Sequence, residues 1–375
     1  MQSQPETTKP RKVLAYLIGS LGDTIVAIPA LRAVRRHFPD AEIVLLQNGP
    51  SDAVVSASDV IPTELVNRYI SYDATDKIAT FFGLWSKIRA ECFDSAVYLV
   101  ISERPSRSVL RDRYFFRLCG IRELVGFHAF SATALYPIDS SGRPAVTRHE
   151  ALRKLERIER DCVTISPAED LRQPFFTFSD VERDNIQNWL ATVRKKPEST
   201  LVAVAPGCKT RSNLWPVENF IEFCRKITAI DDCEIVVIGG KAESESGEVI
   251  ISEIGEGINA AGKFAVRESA VLLSFCDFYV GLDTGTTHLA YAVGTPTFGI
   301  YGERNNPGQW FPLGPANAVV SHPVPCSGCR LFECPIPGHP CMNGISVQTV
   351  LDEFRLFIRQ SNDARNAETA KSITV

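Results

Sequence analysis

Residues 278–302, FYVGLDTGTTHLAYAVGTPTFGIYG, read as strand, tight turn, helix, turn and strand. Phe278, Tyr279, Val280 and Gly281 end a short apolar run of strand type. Asp283, Thr284, Gly285, Thr286 and Thr287 make a small polar turn. His288 to Val293 is an apolar helical run that Gly294-Thr295-Pro296 stops, and Thr297 to Tyr301 begins another strand. A Gly/Thr-rich turn that opens a helix presents unbonded backbone N–H groups at the positive end of the helix dipole. That chemistry suits an anion, phosphate above all. The competing reading is an ordinary strand-to-helix turn capped by Asp283 or a threonine.

Upstream, Leu201 to Ala205 is a strand and Pro206 to Asn213 (PGCKTRSN) is a polar loop. Trp215-Pro216 then opens a helix, with the proline well placed in a first turn. Glu234 to Ile238 is the next strand, and Arg267 to Phe275 is a helix. This alternation is a βαβ series and implies a parallel sheet. The loops 206–213 and 283–287 both follow strands. One carries Lys209, Thr210 and Arg211, and the other carries the N–H groups; together they suit a diphosphate better than either alone. Plain surface charge is the alternative for Lys209 and Arg211.

The chain opens in the same way. Val13 to Ile18 is a strand, Gly19 to Thr24 a turn, Ile25 to Phe38 a helix containing Pro29, and Glu42 to Leu46 a second strand. The turn lacks the G-x-G-x-x-G spacing of dinucleotide binders. Asp23 lies at the C-terminal edge of the first strand, where open α/β sheets place ligands. It can serve as a general base or cap the helix, and position alone favours the cap. Farther on, Arg104, Arg107, Arg111, Arg113, Arg117 and Arg122 interleave with Tyr114, Phe115 and Phe116. They read equally as a solvated helix face or as a groove for an anionic partner. Residues 149–162 read as an exposed or semi-exposed helix with Leu152, Leu155 and Ile158 on one face. Lys195 to Thr200 is the best linker, so a domain boundary is expected near 180–198.

The 375 residues suggest two domains. A net charge of −4 leaves no global footprint for nucleic acid. A mean hydropathy of −0.02, with no apolar run near 18 residues, offers no membrane-spanning helix. The N-terminal stretch has no apolar signal core. Eleven cysteines, many in apolar runs, suit reduced thiols in a cytoplasmic protein better than a disulfide framework.

Three pieces together, GSLGDTIVAIPALRAVRRHFPDAEIVLL, APGCKTRSNLWPVENFIEFCRKI and VGLDTGTTHLAYAVGTPTFGIYG, resemble glycosyltransferase family 9, the heptosyltransferase-like enzymes. The likeness extends over most of residues 13–345. It implies a GT-B fold: two Rossmann-like domains facing across a cleft, with the acceptor on the first and the donor nucleotide on the second. The domains expected are 11–180 and 198–345, with 346–360 a helix packing back toward the first domain and residues 1–10 and 361–375 disordered. By resemblance Asp23 is the catalytic base. Asp283, Thr284, Gly285, Thr286 and His288 lie at the donor's phosphate and sugar, and Lys209, Thr210 and Arg211 at its diphosphate. Arg104, Arg107 and Arg111 are acceptor candidates. Two departures stand out: Asn213 where many relatives carry Lys or Arg, and Glu303-Arg304-Asn305-Asn306 where they often read P-T-D-P.

The implied partners are a nucleotide-diphosphate sugar and an anionic glycan or glycolipid acceptor, with no nucleic acid. The implied setting is cytoplasmic, in peripheral contact with the inner membrane, and no cofactor is expected. A sugar-nucleotide-binding scaffold without turnover and a GT-B sugar-nucleotide epimerase are the competing readings. Cys326, Cys329, Cys334 and Cys341 (C-x2-C-x4-C-x6-C) offer four thiolates for structural zinc, but the irregular spacing favours a plain loop.

Overall fold

The computed structural model describes residues 11–49, 56–72, 77–230 and 232–373. The chain divides into two compact units, one built from residues up to Ser131 plus Glu150–Arg172, the other from Ala132–His149 plus Gln173 onward. The first unit holds a five-stranded sheet: β1 (Lys12–Leu17), β2 (Glu42–Asn48), β3 (Arg68–Tyr72), β4 (Ser95–Tyr98) and β5 (Glu123–Val125). Their order is β3-β2-β1-β4-β5, and every pairing is parallel. The central strands β1 and β4 are buried on both faces, and β1 reads as an almost continuous apolar run for that reason, while the edge strands β3 and β5 are only partly buried.

The second unit holds six parallel strands: β6 (Thr200–Ala205), β7 (Cys233–Val237), β8 (Ile258–Asn259), β9 (Phe278–Leu282), β10 (Thr297–Tyr301) and β11 (Asn317–Ser321). Their order is β11-β10-β9-β6-β7-β8, so the direction of winding reverses between β6 and β9. Open α/β sheets bind ligands at that reversal, outside the carboxyl ends of the strands. The stretch 278–302 supplies β9, the helix Gly285–Ala292 and β10.

Four sequence expectations need correction. The helix expected over 25–38 is two helices, Leu21–Ile25 and Ile28–His37, because Pro29 occupies a first-turn position of the second. Residues 132–149 and 173–198 fold with the second unit, so the units interleave and no single boundary near 180–198 separates them. The last helix packs within the second unit, where Phe354 lies 5.5 Å from Phe298 and 5.5 Å from Phe223 between ring centroids. Burying such rings contributes roughly 1.5–3 kcal/mol each. That helix also runs Val347–Ile373, through residues expected to be disordered; the tail is rich in helix-forming Ala, Glu, Lys and Arg. Residues 1–10 lie outside the described residues.

The fourth correction concerns Glu150–Glu159. The apolar spacing suggested a half-exposed helix, yet Glu150, Arg153, Lys154 and Arg157 are buried as deeply as Leu155 and Ile158. Lys154 Nζ donates to the Leu99 carbonyl at 2.6 Å, and Arg157 donates to the Val100 carbonyl. Glu150 accepts from the Ser102 N–H at 2.7 Å and from its hydroxyl at 2.5 Å. These charges bind the loop that follows β4.

Candidate active site

The loops after β6 and β9 meet at the reversal of the second sheet. Cys208 Sγ donates to the Asp283 carbonyl at 3.1 Å, and Asn213 Nδ2 donates to the Asp283 carboxylate at 3.1 Å. Asn305 Nδ2, from the loop after β10, reaches the same carboxylate oxygen at 3.4 Å. Thr284 is the N-cap of the helix Gly285–Ala292, in extended backbone and with no side-chain cap bond. The N–H groups of Gly285 and Thr286 therefore lie in a first turn that has no intrahelical acceptors for them. Thr287 is turned inward instead, donating to the Leu282 carbonyl and accepting from Tyr279 OH at 3.0 Å.

Arg304 is the cation that faces this turn. Its Nε donates to the Leu331 carbonyl and an Nη to the Arg330 carbonyl, each at 3.1 Å. It is thus anchored by neutral oxygens, and its charge acts on Asp283. Lys209 is exposed, and Arg211 lies against the equally exposed Glu333 at 3.4 Å. Thr210 caps the short 3-10 turn Arg211–Asn213, which buries Ser212 and Asn213. Asn213 is thus bonded to Asp283, and the positive charge that acts on this carboxylate comes from Arg304.

Burial pushes the Asp283 carboxyl up to about 6, although part of its surface reaches solvent; Arg304, Asn213 and Asn305 oppose the shift. His288 is buried, its Nδ1 lies 3.1 Å from Tyr291 OH, and its ring stands edge-on to Trp310. Burial lowers its pKa to about 4, so it acts as a neutral imidazole at pH 7. These two groups work against each other in the pH dependence of stability. The native state binds more protons than the unfolded chain at Asp283 between 3.8 and about 6, so that contribution is lost as pH rises through the window. The unfolded chain binds more at His288 between about 4 and 6.5, so that contribution is gained as pH rises. Each amounts to about 3 kcal/mol. Asp283→Asn removes one arm. The variant should match the parent near pH 4 and exceed it by about 3 kcal/mol near pH 7 in urea unfolding. Parallel pH profiles for the two proteins would refute this.

In the first unit, Asp23 Oδ2 accepts from the Ser20 N–H at 2.7 Å and from the Ser20 hydroxyl at 3.0 Å, closing the turn as a capping box. Oδ1 has no hydrogen-bond partner among the described residues. Gly19 sits at φ +152°, and a Cβ there would lie 2.3 Å from that of Asp23. Glycine is what lets the carboxylate fold back over the turn. Asn48 accepts from the Gly19 N–H at 3.0 Å and fixes the loop to β2. Arg107 is exposed, whereas Arg104 and Arg111 gather at the buried Asp112.

All eleven cysteines are free thiols. Among the described residues no three Cys, His, Asp or Glu side chains are gathered as a metal ion requires, Cys326, Cys329, Cys334 and Cys341 included.

The family model described as glycosyltransferase family 9 (heptosyltransferase) matches residues 116–339, more than half of the chain. The chain belongs to glycosyltransferase family 9. It is similar to lipooligosaccharide heptosyltransferase 2 of Campylobacter jejuni, 24% identical over 94% of this chain and 99% of that one. The family 9 glycosyl transferase of Veillonella parvula superposes with a TM-score of 0.71 at 18% identity, covering 96% of this chain and 100% of that one. The Escherichia coli heptosyltransferase WaaC with ADP-2-deoxy-2-fluoro heptose gives 0.57 at 15% identity, covering 92% and 99%. The fold is GT-B, and the protein is a glycosyltransferase.

Within this family 9 enzyme, sequence reasoning missed Arg304 and Asn305 as parts of the site and treated their segment only as a departure. A signal was present. The segment directly follows β10, and so lies at the carboxyl edge shared by the loops after β6 and β9.

Proposed function

We propose that this enzyme moves a heptose or related sugar, with inversion, from a nucleotide-diphosphate donor to a lipopolysaccharide-type acceptor. The observation that carries the reading is the junction of the two loops at Asp283, which sets helix N–H groups and Arg304 at one sheet edge. The heptosyltransferase names of the relatives support the donor class. Asp23 Oδ1 takes the proton of an acceptor hydroxyl as that oxygen attacks the anomeric carbon. The bond from that carbon to the phosphate oxygen breaks, and the nucleoside diphosphate leaves with the electron pair. The N–H groups at Gly285 and Thr286, the helix dipole and Arg304 stabilise the growing negative charge. Asp23 belongs to the first unit, and Gly285, Thr286 and Arg304 to the second. The proposed setting is the cytoplasm, in peripheral contact with the inner membrane; among the described residues no helix is long and apolar enough to cross a membrane.

A panel of nucleotide sugars assayed for transfer to a lipopolysaccharide core acceptor tests the reading. Turnover confined to ADP-heptose-like donors is expected, and absence of transfer from every donor would sink it. The cations can be ranked as well. A charged hydrogen bond contributes roughly 1.5–3 kcal/mol, so Arg304→Gln should weaken ADP binding by about 10- to 100-fold. The exposed pair Lys209→Ala and Arg211→Ala should cost less, because solvent-screened charges contribute about 0–1 kcal/mol each. Calorimetric titration showing the reverse order would return the diphosphate to loop 206–213.

A further inference from the structure

The first unit contains a cavity of about 740 Å³ that the mechanism above does not use. It opens at the carboxyl edge of the first sheet. Ile18 just after β1, Leu46 and Asn48 from β2 and Tyr72 from β3 line one side. Leu84 and Phe115, from the helices Lys77–Glu91 and Ser106–Leu118, line the other. Its volume lies within the roughly 300–1,000 Å³ range of small-molecule sites. The apolar lining continues outward: Tyr114 and Leu118 at the mouth are 63% and 60% exposed, and Phe82 beside it 62%. Large apolar side chains grouped in the open mark a binding surface.

One polar cluster meets this lining. Asp112 is buried and already engaged by Tyr98 OH at 2.9 Å and by Arg111 at 2.5 Å. Arg104 approaches the same carboxylate only to 3.9 Å, and its buried Nε has no hydrogen-bond partner among the described residues. Two guanidiniums against one carboxylate leave one positive charge at the wall of an apolar cavity. An apolar ligand alone would leave Arg104 unanswered, and a sugar alone would leave the aromatic lining uncovered. Asn48 joins this wall to the catalytic turn, since it lines the cavity and also holds Gly19.

We propose that the cavity binds the hydrocarbon chain of an anionic, lipid-linked acceptor, with the anionic group on Arg104 and the sugar end beside the Asp23 turn. Calling the occupant an acceptor rests on the transferase reading; the anionic-amphiphile site itself does not.

The test titrates the full chain with a fluorescent 18-carbon polyene fatty acid below its micelle concentration, with its methyl ester, and with phosphatidylglycerol vesicles. Saturable binding of one acid per chain is expected, with the ester at least 10-fold weaker. Leu84→Trp fills the cavity and should weaken acid and ester alike by at least 10-fold. Arg104→Gln should weaken the acid alone and bring it level with the ester. Leu118→Glu, at an exposed position that cannot upset the core, should also weaken both and guards against misfolding of Leu84→Trp. Equal binding of acid and ester to the parent and all three variants would overturn the proposal. So would binding to vesicles with no saturable binding of the monomeric acid, which would mark a bilayer-contact face. Transfer to a lipopolysaccharide core acceptor, with and without its acyl chains, completes the test. The intact acceptor should show at least a 10-fold lower KM, and equal KM values would remove the acceptor assignment. ADP titration of the same preparations reads the second unit, so loss of ADP binding counts against the transferase reading and leaves the cavity result standing.

Discussion

Asp23→Asn is expected to lower the rate of sugar transfer by about 10²–10⁴-fold, the range for losing a positioned general base, while leaving ADP affinity unchanged. The carboxylate has two separable tasks. Oδ2 holds the turn by accepting from Ser20, and Oδ1 is the oxygen proposed above to take the proton. Asparagine keeps one acceptor for the Ser20 N–H and replaces the other oxygen with an amide that cannot take a proton. Gly19 packs against this side chain so closely that only a residue of nearly the same shape fits without moving the turn. Fold and catalysis should therefore part company. Weakening a helix cap costs about 0.5–2 kcal/mol of stability, whereas losing the base costs about 3–5 kcal/mol of transition-state stabilisation. A thermal midpoint within a few degrees of the parent, intact ADP binding and collapsed turnover would assign the base. Unchanged turnover with a lowered midpoint would leave Asp23 a cap and nothing more.

The stretch 278–302 showed its strand, helix and strand in sequence because each element announces itself locally. An apolar run, a Gly/Thr turn and a Gly-Thr-Pro stop need no distant partner. The junction with loop 206–213 followed from parallel topology, since both loops leave the same sheet edge. The place of Arg304 at this edge could be read from its position directly after β10, but the way its charge is held could not, because its anchors are the carbonyls of Arg330 and Leu331, some 26 residues on. The inward charges of Glu150–Glu159 escaped notice for the same reason. Periodicity counts apolar residues, and Arg153, Lys154 and Arg157 are accommodated by groups at residues 99–102 that no spacing within the helix reveals. Residues 132–149 carry no mark of belonging with the second unit either. That follows from bonds such as Asn306 Nδ2 to the carbonyls of Pro137 and Ala145, at 2.9 and 3.1 Å.

Those inward charges carry the second large effect. Glu150→Ala is expected to destabilise the protein by about 3–5 kcal/mol, the loss typical of removing one partner from a buried ionic network. Glu150 is the one carboxylate on this helix face, which also carries Arg153, Lys154 and Arg157. Its oxygens bond Ser102 and lie 3.3 Å from Lys154 Nζ. It also stands in the first turn of its helix, where a negative charge is favoured. Burial already lowers the Lys154 pKa, with Glu150 the largest opposing influence and the field of Asp23 a lesser one. Deleting Glu150 lowers it further. The unfolded chain then binds more protons than the native state over a wider span below 10.5, so stability must rise with pH across that span. The destabilisation should accordingly be greatest near pH 7 and shrink toward pH 10. Adding Lys154→Met should recover part of it at pH 7 by removing the stranded cation. At roughly 2–4 °C per kcal/mol, the single variant should melt about 10 °C below the parent. A shift of only a degree or two, or a loss that does not change with pH, would mean that the cations are held by the carbonyls of Leu99 and Val100 alone. The stability of the loop after β4 would then owe nothing to the carboxylate.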